Sequence, residues 1–477
     1  MTATQKSILF TLPVAMMYLL SLHLPFFWDT THLASAQAQW FYNNGLNKLL
    51  LPDSIDSGHP PLTGWLLAFT WKLFGKGLLQ SHLMMLPFLV IMLTYMHKTL
   101  RHYFPEWAWL ISALFFLNPI LLTQSMLVSP DIILFTGFFL ALYGIIADKK
   151  LTLALGAVLL SMVSMRGMMC VAGLFIFDFL KNARYRHGIN AFVLHLLNYA
   201  PSAIIAAAFL IFHAQNKGWI GYHPSSPWAP SFKLAGITEF FRNLMVLAFR
   251  MADQGMLFIW IIPAWILVKQ KNSFSSRSKE LLLLSGVLFC SLVLPQLFYK
   301  NLLMHRYLYP CISILTLLSF SIVLERGRPR TYILSTSLLL VSGFTWIYPE
   351  PLAKGWDIMP LHYSYYEHRA NILQKITTRG LQTEEIGAAF PYNLPSSIID
   401  LSDNSRQFAE PDLANRNYIL YSNISNDFTG EMINTLRSTW IPIERSGRWP
   451  VYFILYKNPG QLLRKSEERN MPMASKK

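Results

Sequence analysis

Apolar runs separated by short basic loops constrain this chain more than any other feature. A helix needs about 20 apolar residues to cross a bilayer. Runs at 7–27, 78–97, 107–124, 131–147, 151–165, 168–180, 189–213, 252–268, 280–298, 307–324 and 331–348 approach or reach that length. Of the 477 residues, 53% are hydrophobic and 14% charged, against roughly 25% charged in a soluble chain. The sequence therefore predicts an all-α polytopic membrane protein of about eleven transmembrane helices, with most of its length in lipid.

Lys and Arg assign the sides. Lys98 and Arg101 follow the second run, Lys149 and Lys150 the fourth, and Lys181, Arg184 and Arg186 the sixth. Lys269, Lys271, Arg277 and Lys279 follow the eighth, and Arg326, Arg328 and Arg330 the tenth. Alternate loops are short and basic, which marks them as cytoplasmic. The segments 28–61, 125–130, 214–250 and 299–306 then lie outside, with a cytoplasmic amino terminus and an external carboxyl end. The net charge of +15 reads as this loop bias, with part of it serving a phosphate-bearing ligand, and not as a nucleic-acid surface. The first run has no small-residue cleavage pattern after it and reads as a retained helix. The stretch 151–180 is short for two spans and carries Arg166 at its middle. A single span would place its two flanking basic clusters on opposite faces. Two short helices with Arg166 at their outer tip satisfy the charge rule, and short helices are tolerated where they line a protein cavity.

Residues 1–348 thus read as the membrane domain. Its first external loop, 28–77, holds two interfacial helix candidates, HLASAQAQWFYNN and LTGWLLAFTWKLFGKG; the second has apolar positions at helical spacing and stops at Gly75. After Pro349 the composition turns polar. A helix near 364–379, an amphipathic segment near 428–438 and strand-like runs at 386–390, 417–423 and 452–458 predict a small external α/β domain over 349–460. The tail 461–477 reads as disordered. Cys170, Cys290 and Cys311 lie in apolar runs and read as small hydrophobes. There is no His-x-x-x-His, no Cys/His cluster, no phosphate-binding glycine loop and no nucleophile elbow. No metal site and no cofactor is predicted, and the energy for any transfer has to come with the donor.

A few polar residues stand where lipid makes them costly. Asp29 sits where the first run ends, either a functional carboxylate or an interfacial acid that ends the helix. His59-Pro60-Pro61-Leu62 follows about thirty residues later; His59 is a phosphate or metal contact by chemistry, or a loop residue fixed by two prolines. Asp131 follows Ser129-Pro130, where an acid also suits a helix first turn. Arg166-Gly167 at membrane depth needs an anion, or snorkels to water. His305-Arg306-Tyr307 opens the tenth run, either a ligand-binding cation or part of an interfacial belt.

An acid after the first span, an H-P-P-L box before an amphipathic segment, V-S-P-D, Arg-Gly in a short hairpin and R-Y-x-x-P resemble the GT-C glycosyltransferases over roughly 1–330. The likeness is to the dolichyl-phosphate-mannose protein mannosyltransferase-like family and the lipid A aminoarabinose transferases. Two departures stand out: Thr30 follows Asp29 where the family carries a second acid, and Gly58 precedes the box, with Asp56 two residues back. The resemblance implies an inverting glycosyltransferase acting on the outer face. It would move a sugar from a polyprenyl-phosphate-linked donor to a lipid, glycan or protein acceptor of the cell envelope. It implies Asp29 as general base, Asp131 as its assistant, and Arg166, Arg306, Tyr307 and His59 at the donor phosphate. The rival readings are a lipid or solute transporter or flippase, which also explains intramembrane charges, and an assembly protein of the envelope, in which Asp29 and Arg166 would tolerate substitution.

Overall fold

The computed structural model describes residues 12, 15–182, 188–221, 223–226, 228–269, 274–300, 303–346, 350, 356–403, 406–424 and 427–460. Much of the first predicted span, the loop residues Arg184, Arg186 and Lys271, and the tail 461–477 lie outside them. The chain divides into two compact units, one of Met1–His23 with His32–Trp346, the other of Leu24–Thr31 with Ile347–Lys477.

The first unit is helical. After residues 15–21, a π-helical turn, Thr31–Ala36, leads into α1 (Gln37–Asn44), followed by α2 (Leu62–Phe74), α3 (Leu78–Tyr103), α4 (Ala108–Phe116) and α5 (Pro119–Ser125). Then come α6 (Pro130–Ile146), α7 (Lys150–Val163), α8 (Met165–Lys181), α9 (Ile189–Lys217) and α10 (Ile237–Arg250). The unit closes with α11 (Leu257–Lys269), α12 (Ser276–Leu288), α13 (His305–Glu325) and α14 (Pro329–Thr345). By length and composition, four helices among the described residues can cross a membrane: α3, α9, α13 and Ser276–Phe298, which continues α12 through π and 3-10 turns. The described helices do not confirm the count of eleven, and local chemistry shapes several of the predicted runs. The predicted span 107–124 is α4 and α5, bent by 68°. The Asn118 side chain accepts the Ile120 N–H at 3.0 Å and Pro119 opens the new helix, a capping arrangement that starts a helix where the pattern ran on. The predicted span 252–268 shortens to α11, because 251–256 forms turns. α6 and α7 are apolar but only 17 and 14 residues long. α6 is buried along nearly its whole length, so it packs in protein and needs no full lipid span.

The stretch 151–180 is two helices, α7 and α8, broken at Ser164, whose hydroxyl accepts the Gly167 N–H at 3.1 Å. The two helices close tightly at this break: a Cβ on Gly167 would stand 1.9 Å from the Leu160 carbonyl oxygen. α6 and α7 approach as closely, since a Cβ on Gly156 would meet the Ala141 nitrogen at 2.4 Å. Small residues at such crossings let helix backbones touch. Here they bring the start of α6 next to the start of α8.

The second unit holds α15 (Ser364–Thr378), α16 (Ser396–Ile399), α17 (Gly430–Thr439) and a four-stranded sheet. Strands β1 (Ile386–Ala388), β2 (Tyr418–Ser422), β3 (Ile441–Gly447) and β4 (Tyr452–Lys457) run in the order β1-β2-β4-β3. β1 and β2 are parallel and the other pairings antiparallel. Ile419, Tyr421, Ile433, Leu436 and Trp440 form the core between sheet and α17. β3 had no counterpart in the sequence reading. Its sequence, IPIERSG, has Pro442 and two charges, which suit an edge strand and hide its pattern; the register shifts between Pro442 and Glu444. The segment Leu24–Thr31 belongs to this unit, although it precedes the rest of the unit by more than 300 residues.

Candidate donor-phosphate site

Ser129 caps α6 by accepting the Asp131 N–H at 3.2 Å, Pro130 takes the first helical position, and the Ser129 hydroxyl donates to Gln124. This fixes Asp131 in the first turn of α6, 1% exposed. Its two oxygens accept from two arginines: Arg166 Nη1 at 3.0 Å to Oδ1 and Arg306 Nη1 at 3.3 Å to Oδ2. Arg166 comes from the first turn of α8 and Arg306 from that of α13. Three helix starts therefore converge on one carboxylate. Tyr307 sits between the cations, its ring centroid 4.1 Å from the Arg166 guanidinium carbon and 4.9 Å from that of Arg306. Its hydroxyl accepts from Arg306 Nη2 at 3.3 Å. Stacking holds a guanidinium plane in place and leaves its N–H fork pointing edgewise. Among the described residues, Arg166 donates through Nη1 alone, so Nε and Nη2 remain for a ligand.

His59, Gln37, Ser57, Thr63, Ser164, Asp131 and Arg166 line one small cavity together with apolar neighbours. Its volume is about 20 Å³, room for a water molecule. Burial, and next the Arg166 charge, push the His59 imidazole down to about 3, so the ring is neutral. Its Nδ1 is buried without a hydrogen-bond partner among the described residues, and the ring rests edge-on against Phe232 at 6.1 Å.

Of the residues singled out from sequence, Asp131, Arg166, Arg306, Tyr307 and His59 come together in the first unit. Asp29 lies half-buried on Leu24–Thr31, in the second unit. Asp56 is buried: its carboxylate accepts from the Gly58 N–H at 2.8 Å and from His213 Nε2 at 3.1 Å, with Lys217 at 4.0 Å. It ties the loop before the H-P-P-L box to the end of α9. A second network went unread in the sequence. Arg250 Nη1 donates to Asp253 Oδ2 at 3.1 Å, and His305 Nε2 bonds to the other oxygen, with all three side chains buried at the start of α13. Its only sequence signal is an Arg and an Asp three apart just after an amphipathic helix, which is common elsewhere.

A bundle of apolar helices with two arginines on one carboxylate at three helix starts, followed in the chain by a small α/β unit, has a fold already seen in solved structures. The chain is similar to two crystal structures of ArnT from Cupriavidus metallidurans, and 95% of it is covered in each comparison. The structure bound to undecaprenyl phosphate shares 11% identity at a TM-score of 0.51, with 98% of that chain covered. The apo structure shares 12% at 0.53, again over 98% of that chain. No family model and no curated protein matches the chain. The fold is the one that the resemblance read from the motifs implies.

Proposed function

We propose that the protein is an inverting membrane glycosyltransferase whose donor is a sugar linked to polyprenyl phosphate. The observation that carries this reading is the convergence of Arg166 and Arg306 on Asp131 with Tyr307 between them. Two guanidiniums held on either side of one tyrosine ring at membrane depth present the charge and the N–H forks that an anion binds. A phosphate accepts the paired N–H geometry of arginine. One of the similar ArnT structures is bound to undecaprenyl phosphate, which supports the same ligand class here.

In the proposed reaction the acceptor hydroxyl oxygen attacks the anomeric carbon from the side opposite the phosphate. The new C–O bond forms as the sugar–phosphate C–O bond breaks, and the configuration inverts. The bond pair leaves with polyprenyl phosphate, whose growing charge is met by Arg166 and Arg306; such stabilisation is commonly the largest catalytic term. The acceptor's proton passes to Asp29, the proposed base, which must lie within hydrogen-bond reach of it or one water away. Asp131 holds the two arginines apart and aimed. Neutral His59 offers an uncharged contact to phosphate. The reaction side is the outer face, with an external C-terminal domain over 349–460.

The test is incubation of the purified protein with a panel of undecaprenyl-phosphate sugars and envelope lipid, glycan and protein acceptors. Transfer with inversion is expected for one pairing. Saturable undecaprenyl phosphate binding with no transfer from any donor would move the assignment to a lipid transporter.

A further inference from the structure

We propose that the C-terminal unit positions Asp29, and that Phe27 is the residue through which it does so. The inference rests on the reading of Asp29 as base and adds to it what holds that base. An acid in a loop after a membrane helix is ordinarily free to wander, while a base has to meet its proton within a few tenths of an ångström.

The turn that carries Asp29 is fixed on both sides. The Phe26 N–H donates to the Ile399 carbonyl at 2.9 Å, at the end of α16. Phe27 is 0% exposed. Its ring lies 4.7 Å from that of His362, 5.1 Å edge-on from Tyr365 and 6.2 Å from Tyr366, a cage built by α15 and the turn before it. Trp28 takes a left-handed φ of 53° and meets Phe390 edge-on at 5.6 Å. Beyond Asp29, the Thr30 hydroxyl accepts the Phe27 N–H at 3.0 Å and donates to the Phe27 carbonyl at 2.7 Å. The Thr31 hydroxyl donates to the Trp28 carbonyl at 2.7 Å. Each neighbour of Asp29 is thus bonded to the turn or packed into the unit, so the backbone that carries the carboxylate is held in place.

The experiment uses the purified full chain with Phe27→Ala, Phe27→Leu, His362→Ala and Asp29→Asn. Three quantities are measured: amide exchange over 26–31 and over β2 and β4, affinity for undecaprenyl phosphate, and single-turnover rate with the donor that supports transfer. Phe27→Ala is expected to speed exchange over 26–31 while β2 and β4 stay protected. It should leave undecaprenyl phosphate affinity unchanged and slow turnover about 100-fold, the scale of a misplaced catalytic group. Phe27→Leu should recover part of the rate, since it refills part of the cage. His362→Ala removes one wall of the cage, and should give the same pattern more weakly; it decides the matter if Phe27→Ala unfolds the sheet. Wild-type turnover in Phe27→Ala or His362→Ala despite faster exchange over 26–31 overturns the proposal, as does unchanged exchange. Wild-type turnover in Asp29→Asn sinks the base reading instead, and the exchange results remain to judge the holding of the turn separately.

Discussion

Asp131 shows how one residue's role changes between chain and fold. In the sequence it suits a helix first turn or an acid that assists catalysis. In the structure both of its oxygens are engaged by guanidiniums, so it is the group that arranges Arg166 and Arg306. Asp131→Asn removes the charge that both guanidiniums bond to, and losing one partner of a buried pair costs about 3–5 kcal/mol. A lowered thermal midpoint of the detergent-solubilised protein, partly restored by added undecaprenyl phosphate, is the expected result. Arg166→Ala should weaken undecaprenyl phosphate binding roughly 10–150-fold, the equivalent of about 1.5–3 kcal/mol for a charge-assisted bond. Arg166→Lys should recover only part, since a point charge neither stacks on Tyr307 nor forks. Equilibrium binding of undecaprenyl phosphate reads both; wild-type affinity in Arg166→Ala would make that arginine purely structural. Asp29→Asn should abolish transfer and spare donor affinity, because the amide keeps the volume and cannot take the proton; single-turnover measurement beside the binding assay separates the two.

At the scale of elements, the arginine site depends on the break between α7 and α8. Ser164 starts the second helix and Gly167 lets it lie against Leu160. Gly167→Ala puts a methyl group 1.9 Å from a backbone oxygen, so the helices must part and Arg166 moves with them. A tenfold or greater loss of undecaprenyl phosphate affinity is expected. Gly286→Ala, where nothing stands within 4 Å of the added carbon, should leave affinity unchanged; equal effects from both substitutions would count against the close approach. The two-helix reading of 151–180 was available from charge alone, because basic clusters on both flanks disfavour a single crossing. The bend between α4 and α5 was not: Asn118-Pro119 is a strong start signal, but the apolar run through it hides the boundary.

Across the whole molecule, the second unit carries a buried histidine with a pH consequence. Burial pushes His362 down to about 4, opposed in part by its bond to the Met359 carbonyl. The unfolded chain takes up this proton near 6.5. Stability from His362 is therefore complete above pH 6.5 and is lost as pH falls from there to about 4, at no more than ~1.4 kcal/mol per pH unit. Amide exchange of β2 and β4 should rise through that window, and His362→Gln should flatten the dependence; an unchanged profile in the variant would assign the effect elsewhere. Epitope tags after Lys150 and Arg326 are expected to report cytoplasm, and a tag in the C-terminal unit the outside. Of all this, the sequence by itself determined the apolar helices, the sidedness expected from basic loops, and the residue types at the arginine site. Those follow from periodicity, charge and helix-end chemistry, which act over a few residues. Only the tertiary structure decided that Arg166 and Arg306 share one carboxylate, that Asp253 engages His305, and that Leu24–Thr31 packs in the C-terminal unit. Each of these joins residues 35 to more than 300 positions apart. Their pairing is set by which helix faces close on one another, and no local pattern in the chain encodes that.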